Sequence, residues 1–346
     1  MKNYKKVGIL FGGKSDEHEI SIKSAKAVYS NIDKNKFEAD LIYIRRDGKW
    51  VIMKGVDLLN ENFPKNGFSS FIPWQTTNLF KRDFDILFPV LHGPNGEDGR
   101  IQGLFEMSSI PFVGANALSS ALAMDKAISK TLFRDSGLNI TDFLVFVEND
   151  PKDILEKIEG NIGYPCFIKP CSLGSSVGIT KAKNREECRS GVKTAFEFDK
   201  KIIVEKEIKG LEVEISVMGN HEIKVSKPGS FIPSKDFYSY EDKYILGDTK
   251  FFIPAKLDSK IELELKKAAL KAYKSLYLNG FARVDFFVEE NSNRIIINEI
   301  NTIPGFTEIS MFPKLWEVDG ISFSQLITKL IDYGFEYYKS ESRYIK

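Results

Sequence analysis

The chain is short of the residues that build extracellular scaffolds and metal centres: its 346 residues include only three cysteines and three histidines. Cys166, Cys171 and Cys188 cannot all pair within the chain, and they have neither metal-ligand spacing nor a nearby histidine. That excludes a disulfide framework and a cysteine-based zinc site, and it fits reduced, mostly structural thiols in a cytoplasmic protein. Cys171 lies beside a glycine loop, where the expectation is a thiol open to solvent and to thiol reagents. No apolar run approaches the length that crosses a bilayer. The first residues, Met1 to Val7, lead straight into a strand-like segment without the apolar core of a secretory signal. Neither sign of charge dominates: 49 basic against 48 acidic residues leave a net charge of +1, so no global field points to nucleic acid or an anionic membrane. There is no internal repeat and no low-complexity tract. The glycine fingerprint of a dinucleotide-binding dehydrogenase, with its acidic residue about 20 positions on, is also missing after the first strand.

What is present is an alternation of strand-like and helix-like stretches. Val7–Phe11 and Phe84–Leu91 read as buried strands, Leu41–Ile44 as another, with helical spacing over Ser21–Ile32 and near Ile101–Met107. This pattern predicts an open, mostly parallel sheet with ligands beyond the carboxyl ends of its strands, where Gly12-Gly13 and His92-Gly93 lie. Asn60–Lys81 reads as an uninformative loop. A helix over Ser119–Asp135 begins a second unit. Strands are expected at Pro165–Lys169, Ser176–Thr180 and Lys201–Glu205 around a helix at Arg185–Phe198. Leu211–Val217 alternates like a half-buried antiparallel strand. Ser259–Leu278 carries a helical apolar stripe at Ile261, Leu265, Ala268, Ala272 and Leu276.

Gly8-Ile9-Leu10-Phe11-Gly12-Gly13-Lys14-Ser15 fits the spacing of a phosphate-binding loop, but Ile9, Leu10 and Phe11 belong inside a strand, so the match is a decoy. Better phosphate candidates are Lys169-Pro170 with Gly174-Ser175-Ser176-Val177-Gly178, whose small residues let backbone amides approach an anion closely; an ordinary hairpin is the plain alternative. His92-Gly93-Pro94-Asn95-Gly96-Glu97-Asp98-Gly99 is too rich in polar and glycine residues for a simple connector.

Near the C-terminus, Phe281–Val288 and Arg294–Asn301 are apolar, β-branched runs joined by the polar Glu289–Asn293, a hairpin signature. Alternation places Arg283 with Asp285, and Glu299 with Asn301. If the hairpin aligns those faces, a cation, two carboxylates and an amide meet on an apolar sheet. Two readings are open: a structural ion pair between Arg283 and Glu299, or hard oxygen ligands for Mg²⁺ and substrate phosphates.

Taken in order, these motifs resemble the D-alanine–D-alanine ligase family over nearly the whole chain. Gly12-Gly13-Lys14-Ser15-Asp16-Glu17-His18-Glu19-Ile20-Ser21 and His92–Gly99 are similar to its N-terminal signatures. Lys169–Gly178 resembles its phosphate loop and Tyr240-Glu241-Asp242-Lys243-Tyr244 its substrate-covering loop. Arg283–Asp285 and Asn298–Thr307 resemble its metal site. The resemblance implies an ATP-grasp fold of mixed α/β and α+β character. A Rossmann-like α/β domain over 1–116 would be followed by central and C-terminal ATP-clasping domains over 117–208 and 209–346. It implies ATP as substrate with two Mg²⁺ or Mn²⁺ ions held by Asp285, Glu299 and Asn301. Arg283 and the Gly305 amide would serve the transferring phosphoryl group and the oxyanion. Lys126, Lys169, Ser176, Glu205, Ile208, Glu212 and Lys243 would contact ATP. Glu17, Ser175 and Tyr244 would hold the first D-alanine beside His92 and Glu97. Ser310 and Met311 would meet the second. The resemblance also implies a cytoplasmic homodimer that handles small molecules and binds neither nucleic acid nor membrane. His18 and His221 have no role and read as surface or loop histidines. The competing functions are a D-alanyl-D-lactate or D-alanyl-D-serine ligase, another ATP-grasp carboxylate–amine ligase, or a non-catalytic nucleotide binder. Tyr244 opposes the lactate type and the apolar Met311 the serine type.

Overall fold

The structure is a computed structural model, and it describes residues 4–53, 55–59, 63, 71–74, 84–149, 153–232 and 250–343. Lys243 and Tyr244 therefore lie outside the described residues, as does most of the 60–81 stretch.

The first part of the chain runs β1 (Lys5–Gly12), α1 (His18–Asn31), β2 (Phe37–Ile44), β3 (Trp50–Met53), α2 (Gly55–Leu59), β4 (Phe71–Trp74), β5 (Ile86–Pro89) and α3 (Arg100–Met107). Its sheet has the order β4-β3-β2-β1-β5. β1 is parallel to both β2 and β5, while β3 and β4 are antiparallel additions at one side. Strand β4 falls within the stretch read as a loop. Its Pro73, opposite Val51, disguises the strand; proline lacks a ladder donor and is tolerated here because β4 is an edge. Ile9, Leu10 and Phe11 are fully buried within β1, so the phosphate-loop match is indeed a strand.

Next come α4 (Ala117–Met124), α5 (Lys126–Asp135), β6 (Phe143–Val147), α6 (Ile154–Asn161), β7 (Cys166–Pro170), β8 (Thr180–Ala182), α7 (Arg185–Phe198) and β9 (Lys201–Lys206). The single helix expected over Ser119–Asp135 is two helices. Asp125 is extended and accepts from the amides of Ala127 and Ile128, which starts a new helix at Lys126. Strands β6, β9, β7 and β8 form an antiparallel sheet in that order. The strand expected over Ser176–Thr180 survives only at its end. Ser175, Ser176 and Gly178 have left-handed backbones at φ 52°, 60° and 69°, which cannot sit in an extended ladder.

The last part holds β10 (Gly210–Met218), β11 (Lys224–Val225), β12 (Gly229–Ile232), β13 (Lys250–Phe252), α8 (Ser259–Ser275), β14 (Phe281–Glu289), β15 (Ile295–Asn301), α9 (Met311–Val318) and α10 (Phe323–Glu341). Its antiparallel sheet has the order β13-β12-β10-β14-β15, with β11 beside β10. On β14, Ala282, Val284, Phe286 and Val288 pack against the α8 stripe, where Leu265, Ala272 and Leu276 are fully buried. The alternate residues Arg283, Asp285 and Phe287 face the other way, into a cavity.

One core joins the two ends of the chain. Phe281, Phe306, Phe312 and Trp316, with α10 residues Leu326, Ile327, Leu330 and Ile331, pack into the core under β1 and α1. Phe306 stacks edge-on with Phe88 of β5 and Phe281 of β14 at 5.9 Å each. This apolar junction fixes the first sheet relative to the hairpin. All three cysteines are free and buried. Cys171 is therefore not the exposed thiol expected, and burial pushes it up to about 12, away from thiolate reactivity. Among the described residues, no helix is long and apolar enough to cross a membrane.

Candidate active site

A cavity of roughly 470 Å³ opens between the sheet of β7 and β9 and the sheet of β10, β14 and β15. Its lining gathers Lys126, Lys169, Ser176, Glu205, Ile208, Glu212, Asp285 and Glu299, most of the residues expected to hold a nucleotide and its metal, together with Ser175 and Arg283.

The hairpin aligns its polar faces as expected. Arg283 is directly opposite Asn301 and Asp285 opposite Glu299. The alignment depends on a bulge. Asp285 pairs with Glu299 but Phe286 pairs with Ile297, so Asn298 is the extra residue. Strict alternation would put Ile297 and Glu299 on one face. The bulge lets Ile297 enter the core while Glu299 turns to the cavity.

The nearest carboxylates to Arg283 are Asp285 and Glu214, with Glu299 contributing less to its charge. Its Nε and an Nη donate to the two oxygens of Asp285 at 2.7 Å each, and Nε is 3.2 Å from Glu214. Burial opposes the guanidinium charge, but Asp285 and Glu214 outweigh it and hold Arg283 firmly protonated. Glu214, a buried carboxylate on β10 opposite Asp285, escaped sequence reading because it looks like one more polar position in an alternating strand. Asn301 also donates to Asp285, at 3.0 Å. Glu299 lies 3.7 Å from Lys126 Nζ, which donates to the Leu173 carbonyl at 2.6 Å.

No three His, Cys, Asp or Glu side chains form a ready metal cluster among the described residues. Asp285, Glu299 and Asn301 supply two carboxylates and one amide oxygen. That set fits a divalent ion whose remaining ligands are phosphates and water, the usual mode of Mg²⁺.

Glu205 sits between two lysines. Lys169 Nζ is 2.5 Å from one oxygen and Lys130 Nζ 2.8 Å from the other. Burial would raise this carboxyl, but the two ammonium groups pull it down to about 2. Lys130 is a second residue that sequence reading missed. Its only signal was its position four residues after Lys126, one turn along the same face of α5.

Glu17 is not part of the cavity lining but is joined to it through Ser175: it precedes α1 without capping it, and its carboxylate accepts a hydrogen bond from Ser175 Oγ. Gly93, with φ of 75°, lies so close that a Cβ there would stand 2.7 Å from Glu17 Oε2. His92 is buried, and both ring nitrogens are engaged. Nδ1 is 2.9 Å from the Ile303 carbonyl and Nε2 is 2.9 Å from Ser24 Oγ. The carbonyl requires a donor, so Nδ1 carries the proton and Ser24 donates to Nε2. Burial lowers the His92 pKa, which keeps it neutral, although the Glu17 charge opposes this. Ser24 also accepts from the Phe306 amide at 3.3 Å. Glu97 accepts from the Gly93 amide at 2.9 Å. Burial, followed by the charge of Glu17, pushes it up to about 8.

Gly305 stands just after β15, where a Cβ would be 2.9 Å from Ser310 Oγ. Ser310 precedes α9 and leaves that helix end uncapped; its hydroxyl meets Thr307 Oγ1 at 2.7 Å. Met311 is buried with Phe231 and Leu315. His18, read as a surface or loop residue, is buried in α1 between the Gly13 carbonyl at 2.6 Å and the Tyr43 hydroxyl at 2.9 Å. His221 is exposed, as expected.

The family models for the D-ala D-ala ligase N-terminus and C-terminus match residues 6–115 and 132–332. A D-alanine–D-alanine ligase from Caldicellulosiruptor bescii is 46% identical, covering 96% of this chain and 95% of its own. Among solved structures, the VanG D-Ala:D-Ser ligase from Enterococcus faecalis superposes with a TM-score of 0.88 at 39% identity, covering 96% of this chain and 100% of its own. The D-alanine–D-alanine ligase from Coxiella burnetii superposes at 0.86 with 32% identity, covering 99% of this chain and 97% of its own. The chain belongs to the D-ala D-ala ligase family and has the ATP-grasp architecture.

Proposed function

We propose that this member of the D-ala D-ala ligase family joins two D-alanines at the expense of ATP, forming D-alanyl-D-alanine, ADP and phosphate for peptidoglycan precursor synthesis. The observation that carries the reading is the facing of Lys126 and Lys169 and the Asp285–Glu299 pair across one cavity between two antiparallel sheets. Polyphosphate needs cations and metal ligands together, and phosphoryl transfer depends chiefly on positioning and charge neutralisation.

ATP would lie in this cavity, with its adenine and ribose against Glu205, Ile208 and Glu212 and its phosphates against Lys126, Lys169 and Ser176; the family resemblance adds Lys243 as a further phosphate contact. Asp285, Glu299 and Asn301 would hold two Mg²⁺ or Mn²⁺ ions, which would supply positive charge to neutralise the phosphates. The first D-alanine's ammonium is held by Glu17, itself oriented by Ser175, next to His92 and Glu97; the family resemblance gives Tyr244 a part in the same network. The carboxylate of that D-alanine attacks the γ-phosphorus and releases ADP. The amine of the second D-alanine then attacks the acyl phosphate. Arg283 and the Gly305 amide donate to the oxygens that gain charge, and phosphate leaves. Arg283 is held by both Asp285 and Glu214, so with Asp285 engaged as a ligand Glu214 would still compensate the guanidinium. Ser310 and the uncapped start of α9 receive the second substrate's carboxylate, with Met311 shaping the apolar wall behind them.

On this reading the domains divide at 116/117 and 208/209, and the enzyme is a cytoplasmic homodimer. The likeness to a D-Ala:D-Ser ligase favours a second reading, D-serine as the second substrate. A hydroxyl's difference in an apolar pocket gives only about 10²-fold discrimination, so both are to be assayed. The test is release of ADP and phosphate dependent on both D-alanine and Mg²⁺, with D-serine and D-lactate in competition. Preference for either competitor at neutral pH overturns the D-alanine assignment.

A further inference from the structure

Lys130 is more deeply buried than the cavity's other described lysines, and the family reading gives it no task. It is 1% exposed, and its partner Glu205 is 3% exposed. Its ammonium is held from two sides: 2.8 Å from Glu205 on β9 and 2.8 Å from the Asn298 carbonyl on β15. Asn298 is the bulge residue, so the bulge that turns Glu299 toward the cavity also presents this carbonyl across the gap between the two sheets.

Two ammonium groups thus share one buried carboxylate, and one of them is needed elsewhere. Lys169 lies near the end of β7, which leads into the small-residue loop, so its reach includes the phosphates. In this structure it sits on Glu205 at 2.5 Å. Leaving Glu205 with no cation would strand a buried charge, which is strongly unfavourable. We propose that Lys130 is a positioning residue: it is the resident counter-ion of Glu205, and it frees Lys169 to turn to the nucleotide phosphates. Tied to β9 and β15, Lys130 cannot follow Lys169 out, and it does not need to touch ATP. The inference rests on the ATP-site reading above.

The experiment measures dissociation constants of ADP and adenosine for the wild type, Lys130→Met, Glu205→Gln and the double variant, by competition against a fluorescent nucleotide. Methionine keeps much of the length of the side chain but removes its charge. Lys130→Met leaves Lys169 locked on Glu205, so ADP binding weakens by about tenfold or more, roughly 1.4 kcal/mol. Adenosine, which has no phosphate for Lys169, changes by less than about threefold on the same scale. Once Glu205 is neutral, Lys169 is released, so Lys130→Met has no further effect on ADP in the Glu205→Gln background. In that background no buried carboxylate is left to hold Lys169, and the double variant buries neither charge of the Lys130–Glu205 pair, so it decides the matter even if Lys130→Met alone folds poorly. Equal weakening of adenosine and ADP, or an undiminished cost of Lys130→Met in the Glu205→Gln background, overturns the role of Lys130. A wild type that binds no ADP overturns the ATP-site reading itself.

Discussion

Ser175 Oγ donates a hydrogen bond to the Glu17 carboxylate, joining residues 158 positions apart. The contact ties the loop after β7 to the start of α1, and Ser175 takes a left-handed backbone to make it. Such conformations persist where the surroundings over-determine them. Ser175→Ala removes the donor and frees the Glu17 carboxylate to rotate. The expected result is a loss of about 10- to 100-fold in kcat/KM for the first D-alanine, equivalent to roughly 1.4–2.7 kcal/mol. KM for ATP is expected to stay within about threefold. Steady-state kinetics with each substrate varied in turn checks both.

Glu299 faces Asp285 across the hairpin. Glu299→Gln keeps the shape and removes the charge that a divalent ion needs. Turnover is expected to fall by well over tenfold, more than about 1.4 kcal/mol in the barrier. The melting temperature should hold, and Mn²⁺ binding followed by electron paramagnetic resonance in the presence of ADP should weaken. Chelation of the divalent ion with EDTA should silence the wild type reversibly. A smaller loss of turnover would mean that Glu299 is not a metal ligand.

Ser24 bridges His92 Nε2 and the Phe306 amide. Ser24→Ala leaves two buried polar groups short of a partner, a cost of about 1–3 kcal/mol. It also loosens the segment carrying Gly305 from the first sheet. Both a lower denaturation midpoint and a lower kcat are expected, and chemical denaturation read beside kinetics separates the two effects.

Glu97 has its pKa raised from 4.5 to about 8, first by burial and then by the charge of Glu17, against the opposing effects of the Gly93 and Ile303 backbone and Arg283. The folded protein therefore holds a proton that the unfolded chain gives up near 4.5. Its contribution to stability is present below that pH and is lost as pH rises towards about 8. Glu97→Gln fixes the neutral form. Denaturation midpoints measured across this window should fall with pH more steeply in the wild type than in the variant; parallel curves would show that Glu97 is ionised throughout.

Much of this site was legible because its residues sit in strong local patterns. The hairpin of β14 and β15 announced itself by apolar alternation around a polar turn, and the two N-terminal loops by glycine beside charge. What stayed hidden depended on three-dimensional context. The bulge at Asn298 reconciles Ile297 in the core with Glu299 in the cavity, and no period-2 reading contains it. Asp125 splits one apparent helix into two because its side chain caps α5, a choice that propensity alone does not make. Lys130, Glu214 and Ser24 look like solvated positions until the sheets close over them. Cys171 looked open from its glycine-rich neighbours, but it is fully buried against Ala127 and Ile203.

The most direct test of the central claim follows one oxygen. D-alanine labelled with ¹⁸O in its carboxylate is turned over with ATP and Mg²⁺, and the phosphate released is read by ³¹P NMR. Attack of the carboxylate on the γ-phosphorus places a labelled oxygen in the acyl phosphate, and attack by the second amine leaves that oxygen with the departing phosphate. Label in the phosphate, with ADP as the other product, is the predicted result. Unlabelled phosphate, or release of AMP and pyrophosphate, would contradict the account.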